Sequence, residues 1–421
     1  MQNDAIYALS SGAGRAGVAV IRVSGAGPDF LPNVPKPRVA TYMDFYGIDK
    51  IIAIYFQAPN SFNGEDMVEI HCHGGRAIIN AIFEKLKTFG FRHAEPGEFL
   101  RRAFHNGKMD LLEIDGIRGM IDAKTEKQRQ HALRKMTGQD SAVLESWRAD
   151  MIEIAALSAA RMDYDETELP KDIDKQIKKR LQKLCDDITL VLSRHSPVIE
   201  DGFNIVITGE TNVGKSSLFN RLIGENRAIV TDVPGTTRDV VTAELDIDGY
   251  LVRLHDTAGI RETNDEVEKI GIEKTHEAIE RADMEIHVYD NPKKISKDDL
   301  GIVVLNKCDN GEIKFKSPKN AEACVSISTK TGVGIDDLMN TIKAYLHSVA
   351  GKMENQMVAD GYVQDRLEYA VYDDLQAAIN AAGELQSEHI MNAADKIGQI
   401  LGIIGADEIY DAVFSKLCLG K

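Results

Sequence analysis

Long apolar runs are missing from this 421-residue sequence. Nowhere does it hold the ~18 consecutive uncharged apolar residues of a membrane helix, so no helical membrane span and no membrane partner is expected. The first residues, MQNDAIYALSSG, lack a basic stretch followed by an apolar one. That pattern predicts no signal peptide. Cysteine is scarce: Cys72, Cys185, Cys308, Cys324 and Cys418 are scattered, odd in number and form no CxxC pair. Their spacing argues against a disulfide or zinc framework and for a reducing compartment, the cytoplasm. Excess positive charge is also absent, since the formal net charge is −16. Coating nucleic acid by charge alone is therefore excluded. What is present is an ordinary 43% hydrophobic fraction without low-complexity segments, which excludes general disorder. At roughly 150 residues per domain, the length predicts about three domains.

The chain changes character along its length. Residues 1–112 mix short β-like runs (Val18 to Val23, Ile51 to Phe56, Met67 to His71) with a helical stretch at Ala77 to Phe89, separated by Gly-, Pro- and Asn-rich turns. Residues 113–200 are long helical periodicity with few glycines or prolines. From 201 to 349 strands and helices alternate, which implies a mostly parallel sheet covered on both faces. Residues 350–421 return to helix, and the two helical stretches could pack together.

The strand Phe203 to Thr208 runs into Gly209-Glu210-Thr211-Asn212-Val213-Gly214-Lys215-Ser216-Ser217 and then a helical run. This is GxxxxGK[ST] in its strand–loop–helix setting. Inward-turned N–H groups and the helix N-terminus favour phosphate there. Lys215 would reach the β- and γ-phosphates, and Ser216 would ligate Mg²⁺. Asp256-Thr257-Ala258-Gly259 ends the next strand, so Asp256 can hold Mg²⁺ through water and the Gly259 N–H can sense the γ-phosphate. In Asn306-Lys307-Cys308-Asp309, the Asp309 carboxylate can accept two N–H bonds from guanine that adenine cannot offer. Ser328-Thr329-Lys330 would support guanine O6, with Thr where Ala is commoner. Four ordered elements in one α/β segment predict a GTP/GDP site.

Between the first two elements lies Thr231-Asp232-Val233-Pro234-Gly235-Thr236-Thr237, where Thr237 is the natural second Mg²⁺ ligand. Ile260 follows Gly259 and cannot orient water, so the acidic run Glu262, Asp265, Glu266 and Glu268 offers candidates instead. The Asn212 side-chain carbonyl could coordinate a monovalent cation. Cys418, near Lys416 and Lys421, offers a thiol. Two decoys are set aside. Gly12 to Gly17 satisfies GxGxxG but leads into a strand rather than a helix. His71 and His73 share a strand face without a further ligand pair.

The TNVGKSS loop, TDVPGTTRD, DTAGIRETNDEVEKIGIEK and the terminal Cys-Leu-Gly-Lys resemble the MnmE (TrmE) family of tRNA-modification GTPases. So do GRAGVAVIRVSG, PNSFNGEDMVEIHCHGG and EPGEFLRRAFHNGKMDLLE in the N-terminal part. The resemblance implies a multidomain α+β and α/β protein: an N-terminal tetrahydrofolate-binding α+β domain, a discontinuous helical domain, and an inserted Ras-like P-loop GTPase domain. It implies K⁺-activated hydrolysis through G-domain dimerisation. Asn212, Thr231, Val233 and Thr236 would be K⁺ ligands, and Glu268 would orient the attacking water. Arg22, Glu69, Lys108 and Lys421 would contact a 5-formyl- or methylene-tetrahydrofolate, and Cys418 would serve tRNA modification. A homodimer is implied, working with the flavoprotein MnmG (GidA), which alone brings FAD and NADH. Together they would install an aminomethyl-type group at C5 of wobble uridine 34 of tRNA. The alternative expectation is a regulatory GTPase of ribosome assembly without modification activity. Departures from the family pattern include a short 25–51 segment and LLEIDGIRGMIDAKTEKQ where the family favours alanine-rich helix.

Overall fold

The computed structural model describes residues 4–12, 14–163, 172–193, 199, 201–225, 227–228, 241–256, 282–296, 299–310, 318–350, 357, 359 and 361–403. The chain divides into two compact units. The first comprises residues 1–118, 135–150 and 394–421, and the second comprises residues 119–134 and 151–393.

The first unit is built on a six-stranded sheet of β1 (Ile6–Leu9), β2 (Ala16–Ser24), β3 (Thr41–Phe45), β4 (Asp49–Phe56), β5 (Met67–Gly74) and β6 (Arg92–His93). Its strand order is β3-β4-β5-β2-β1-β6. The expected runs 18–23, 51–56 and 67–71 lie inside β2, β4 and β5. β1, β3 and β6 were not read from the sequence, being short or at a sheet edge. Between β2 and β3 only the 3₁₀ turn Pro28–Phe30 forms, so the short 25–51 segment carries no α-helix. Helix α1 (Arg76–Thr88) buries Ile82 and Leu86 against Tyr7, Ile21, Val23, Val68 and Ile70. Side chains alternate across a strand, so Ile6 and Ala8 point to the other face, where they meet Phe99. Phe99 belongs to helix α2 (Glu98–His105). Between α2 and β6 runs an ion-pair network: Arg92 Nη2 is 2.5 Å from Glu98 Oε1, and Arg102 Nη2 is 2.9 Å from the same oxygen. Burial alone would raise the Glu98 carboxyl, but hydrogen bonds from Arg92, the Glu95 N–H and Arg102 hold it down at about 2.

Helices α3 (Leu111–Asp122), α4 (Glu126–Met136), α5 (Gln139–Asp163) and α6 (Ile173–Leu192) realise the expected helical stretch. The departure from an alanine-rich run has a packing reason. A Cβ on Gly116 would stand 2.3 Å from Met136 N, and one on Gly119 would stand 2.9 Å from Ala132 Cβ. Glycine lets α4 approach α3 more closely than alanine would.

The second unit contains a seven-stranded sheet of β7 (Phe203–Thr208), β8 (Arg227–Ala228), β9 (Val241–Ile247), β10 (Tyr250–Asp256), β11 (Met284–Tyr289), β12 (Ile302–Leu305) and β13 (Ala323–Ser326). The order is β13-β12-β11-β7-β10-β9-β8. Five strands from β13 to β10 are parallel, as expected, while β9 and β8 extend the sheet antiparallel. One face is strongly apolar: Ile205, Ile207, Val252, Leu254, Ile286 and Val288 pack with Leu218, Leu338 and Ile342. Leu218 comes from α7 (Lys215–Glu225), and the last two come from α8 (Ile335–Ala350).

The helical stretches of this unit meet, as their periodicity suggested. Helix α9 (Gly361–Arg366) continues through a π-helical turn (Leu367–Tyr372) into α10 (Asp373–Asn380), followed by α11 (Gly383–Ile400). The buried Ser158 hydroxyl of α5 donates to Gln386 Oε1 of α11 at 3.1 Å. Among the described residues no helix is long and apolar enough to cross a membrane.

Candidate nucleotide-binding site

The carboxyl ends of β7, β10, β11, β12 and β13 open on one edge of the sheet, the position where open α/β sheets take their ligands. β7 is central and buried, and the chain leaving it must turn back at once into α7. That turn is the loop 209–214. Asn212 takes a left-handed conformation (φ 64°), as does Gly214 (φ 108°). At Gly214 a side chain is excluded twice, by its φ and because a Cβ would lie 2.2 Å from Asn306 Nδ2. Val213 is buried, and Ser216 and Ser217 stand exposed in the first turn of α7.

Lys215 is 8% exposed and donates at 2.8 Å to both the Gly209 and Glu210 carbonyls. Its ammonium therefore lies folded along the loop whose N–H groups would surround phosphate. Burial lowers its pKa, and the Asp256 charge opposes that shift. Asp256 ends β10 opposite Ile207 of β7 and is 5% exposed. The Ser216 hydroxyl and the Asp256 carboxylate are hard oxygen donors of the kind Mg²⁺ takes. The donor set fits that ion.

The loops 306–309 and 328–330 are tied to the 209–214 loop through one amide. Asn306 is 1% exposed. Its Nδ2 donates to the Val213 carbonyl at 2.8 Å, and its Oδ1 accepts from Lys307 N at 2.8 Å and Thr329 N at 3.1 Å. Lys307, also left-handed (φ 67°), donates through Nζ at 3.0 Å to the Asn212 carbonyl and at 3.0 Å to Asp290 Oδ2. The buried Ser328 donates its hydroxyl to Asp309 Oδ1 at 2.7 Å. That hydrogen bond, more than the Lys330 charge, lowers the Asp309 pKa.

Asn212, Val213, Gly214, Lys215, Ser216, Ser217, Asp256, Asn306, Lys307, Asp309, Ser328, Thr329 and Lys330 thus gather at one sheet edge. Thr231, Val233, Thr236, Thr237, Thr257, Ala258, Gly259, Glu268, Cys418 and Lys421 lie outside the described residues. Asp290 was missed in the sequence. Its signal was an acidic residue directly after the alternating strand β11.

In the first unit, Arg22 and Glu69 face each other across the β2–β5 register, with Arg22 Nη2 2.9 Å from Glu69 Oε1. The guanidinium lies 4.9 Å from the centre of the Phe62 ring. Two residues further along the same turn, a Cβ on Gly64 would lie 3.1 Å from Lys108 Cε. One turn therefore touches both basic residues. Phe62 itself was not singled out from the sequence. Of the paired histidines, His71 faces Glu69 at 3.4 Å and His73 Nδ1 faces Asp49 at 2.8 Å.

Comparison with known proteins accords with this arrangement. The family model of the MnmE helical domain matches residues 111–418, and that of the GTP-binding protein TrmE N-terminus matches residues 5–108. The tRNA modification GTPase MnmE of Sinorhizobium medicae is 38% identical over 436 residues, covering 99% of each chain. This chain belongs to the MnmE family. The Rhizobium meliloti relative of the same description is 37% identical over 438 residues and covers 100% of both chains. Among solved structures, the G domain of the T. maritima FeoB iron transporter is 26% identical over 34% of this chain and 98% of its own, at a TM-score of 0.25, too low to carry weight. MnmE membership joins the TrmE-type N-terminal part, the helical part and the P-loop GTPase part in one multidomain chain.

Proposed function

We propose that this chain is a GTP hydrolase acting in tRNA modification. The observation that carries the reading is the Asn306 amide, which links the base-recognition loops to the phosphate loop, beside an Asp309 carboxylate oriented by Ser328. Family membership adds tRNA as the substrate. When bound, Mg²⁺ would screen phosphate charge. Ser216 and Asp256 would hold it, with Thr237 as a further ligand. Lys215 would bind the β- and γ-phosphates, and Asp309 would select guanine.

The finer reading follows the family resemblance. Asn212, Thr231, Val233 and Thr236 would hold K⁺, which would supply the positive charge that an arginine finger otherwise brings, and Glu268 would orient water. Residues 1–112 form a folate-binding and dimerisation domain. Residues 113–200 and 350–421 form one helical domain, and residues 201–349 form the GTPase between them. Arg22, Glu69, Lys108 and Lys421 hold a tetrahydrofolate derivative, and the shared turn at Phe62 and Gly64 supports the first and third of these. The partners are a second copy of the chain and the flavoprotein MnmG, and the setting is cytoplasmic. Cys418 serves installation of an aminomethyl-type group at C5 of wobble uridine 34.

The test is wobble-uridine modification in cells lacking the gene and in cells carrying Cys418→Ser, together with GTP turnover in KCl and in NaCl. Loss of modification in both strains and faster turnover in KCl are expected. Unchanged modification in both would refute the tRNA reading, and equal turnover would remove K⁺ alone.

A further inference from the structure

One hydroxyl in the nucleotide site has unspent hydrogen-bonding capacity. Thr329 is half-buried, and its Oγ1 accepts from Asn306 Nδ2 at 3.3 Å. Its backbone N–H is directed to Asn306 Oδ1. A Cβ on Gly214 would fall 3.7 Å from Thr329 Oγ1, so the phosphate loop and both base-recognition loops converge on this point. A hydroxyl that accepts from an amide retains its own hydrogen to donate. No hydrogen bond from the Thr329 hydroxyl to an acceptor occurs among the described residues.

The residue before it, Ser328, orients Asp309, the group suited to the N–H edge of guanine. Next to that edge guanine carries its O6 and N7 acceptors. With alanine at this position only the backbone N–H could serve those acceptors, and here that N–H is engaged with Asn306. We propose that the Thr329 hydroxyl donates to the O6/N7 acceptor edge of bound guanine while its oxygen holds the Asn306 amide. Thr329 is then a side-chain determinant of base specificity. The inference rests on the GTP-site reading above and deepens it.

The test uses the full chain as wild type, Thr329→Val and Thr329→Ser, with GDP, 6-thio-GDP and 7-deaza-GDP competing against a fluorescent GDP. Valine keeps the side-chain shape and removes the hydroxyl, so GDP affinity should fall about 3- to 10-fold. Serine should restore it to within about twofold. With the analogue whose contacted acceptor is weakened or missing, wild type and Thr329→Val should bind alike. The proposal is overturned if valine leaves GDP affinity unchanged. It is equally overturned if valine lowers affinity by the same factor for all three nucleotides, which is what a purely structural role would do. A wild-type chain that binds ADP as well as GDP would instead remove the underlying site reading, and the proposal with it.

Discussion

The nucleotide cradle and the Arg22–Glu69 region solve the same problem, holding polar groups in place, by different means. In the cradle most fixed groups are backbone: Lys215 and Lys307 donate to carbonyls, and Asn306 bridges a carbonyl and two N–H groups. Near Arg22 the fixing is done by side-chain charges: Arg22 with Glu69, and Arg92 and Arg102 with Glu98. The cradle depends on the path of the chain together with the three side chains, Lys215, Asn306 and Lys307, that pin it. A charge network depends on every partner and on pH. The two regions should therefore fail under different perturbations.

The largest effect is expected where a side chain obstructs the path itself. Gly214→Ala places a methyl against Asn306 at a φ that alanine rarely adopts. Loss of GDP affinity by more than about 100-fold is expected, roughly 3 kcal/mol. Titration with fluorescent GDP measures it, and the thermal transition of the first unit should not move. Near-normal affinity would show that the cradle is more adaptable than its geometry indicates.

Glu98→Gln probes the other region. Removing the buried member of this cluster leaves Arg92 with Asp4, and Arg102 with Asp4 and Glu65, so the change should cost about 1.5–2 kcal/mol of stability, with GTP turnover preserved. The pH dependence has a definite sign. The folded carboxyl sits at about 2, below the ordinary 4.5, so the unfolded chain binds more protons between these values. The Glu98 contribution is complete above about pH 4.5 and is lost as pH falls towards 2. Denaturant melts of wild type and Glu98→Gln across that window should converge at the acid end. Parallel curves would contradict the assigned pairing.

A comparable effect tests whether backbone approach matters away from any site. Gly116→Ala should destabilise the α3–α4 contact by about 1–3 kcal/mol, the range for overpacking. Gly119→Ala, which meets only a side-chain methyl, should cost less. A reversed order in thermal melts would place the close approach elsewhere.

The same contrast explains what could be read from the sequence. Residues 209–217 are consecutive, and their spacing alone carries their chemistry, as it does for 306–309 and 328–330. Arg22 and Glu69 are 47 positions apart, and only the β2–β5 register brings them opposite each other. From residues alone that pairing was invisible, and only family resemblance suggested a shared role. Phe62 under Arg22 lies inside the PNSFNGEDMVEIHCHGG stretch but carries no polar group to single it out, and Asp290 behind Lys307 lies in no short motif. β1, β3 and β6 escaped because strands of two to five residues carry little periodicity. The glycines at 116 and 119 looked like departures from a good helix, and their purpose appears only when α4 is set against them.

Asn212 and Lys307 are two non-glycine residues in left-handed conformation, joined by one hydrogen bond from the ammonium of one to the carbonyl of the other. Each conformation costs of order 1 kcal/mol by itself, and each is held partly by its partner. The order in which these positions can change during divergence is thereby restricted. Replacing Lys307 first removes a support of the strained Asn212 carbonyl. Replacing Asn212 first with a residue that flips this peptide leaves the lysine with Asp290 as its remaining acceptor. Lineages that alter one position should then alter the other, or relax the strain with glycine, before either change becomes common.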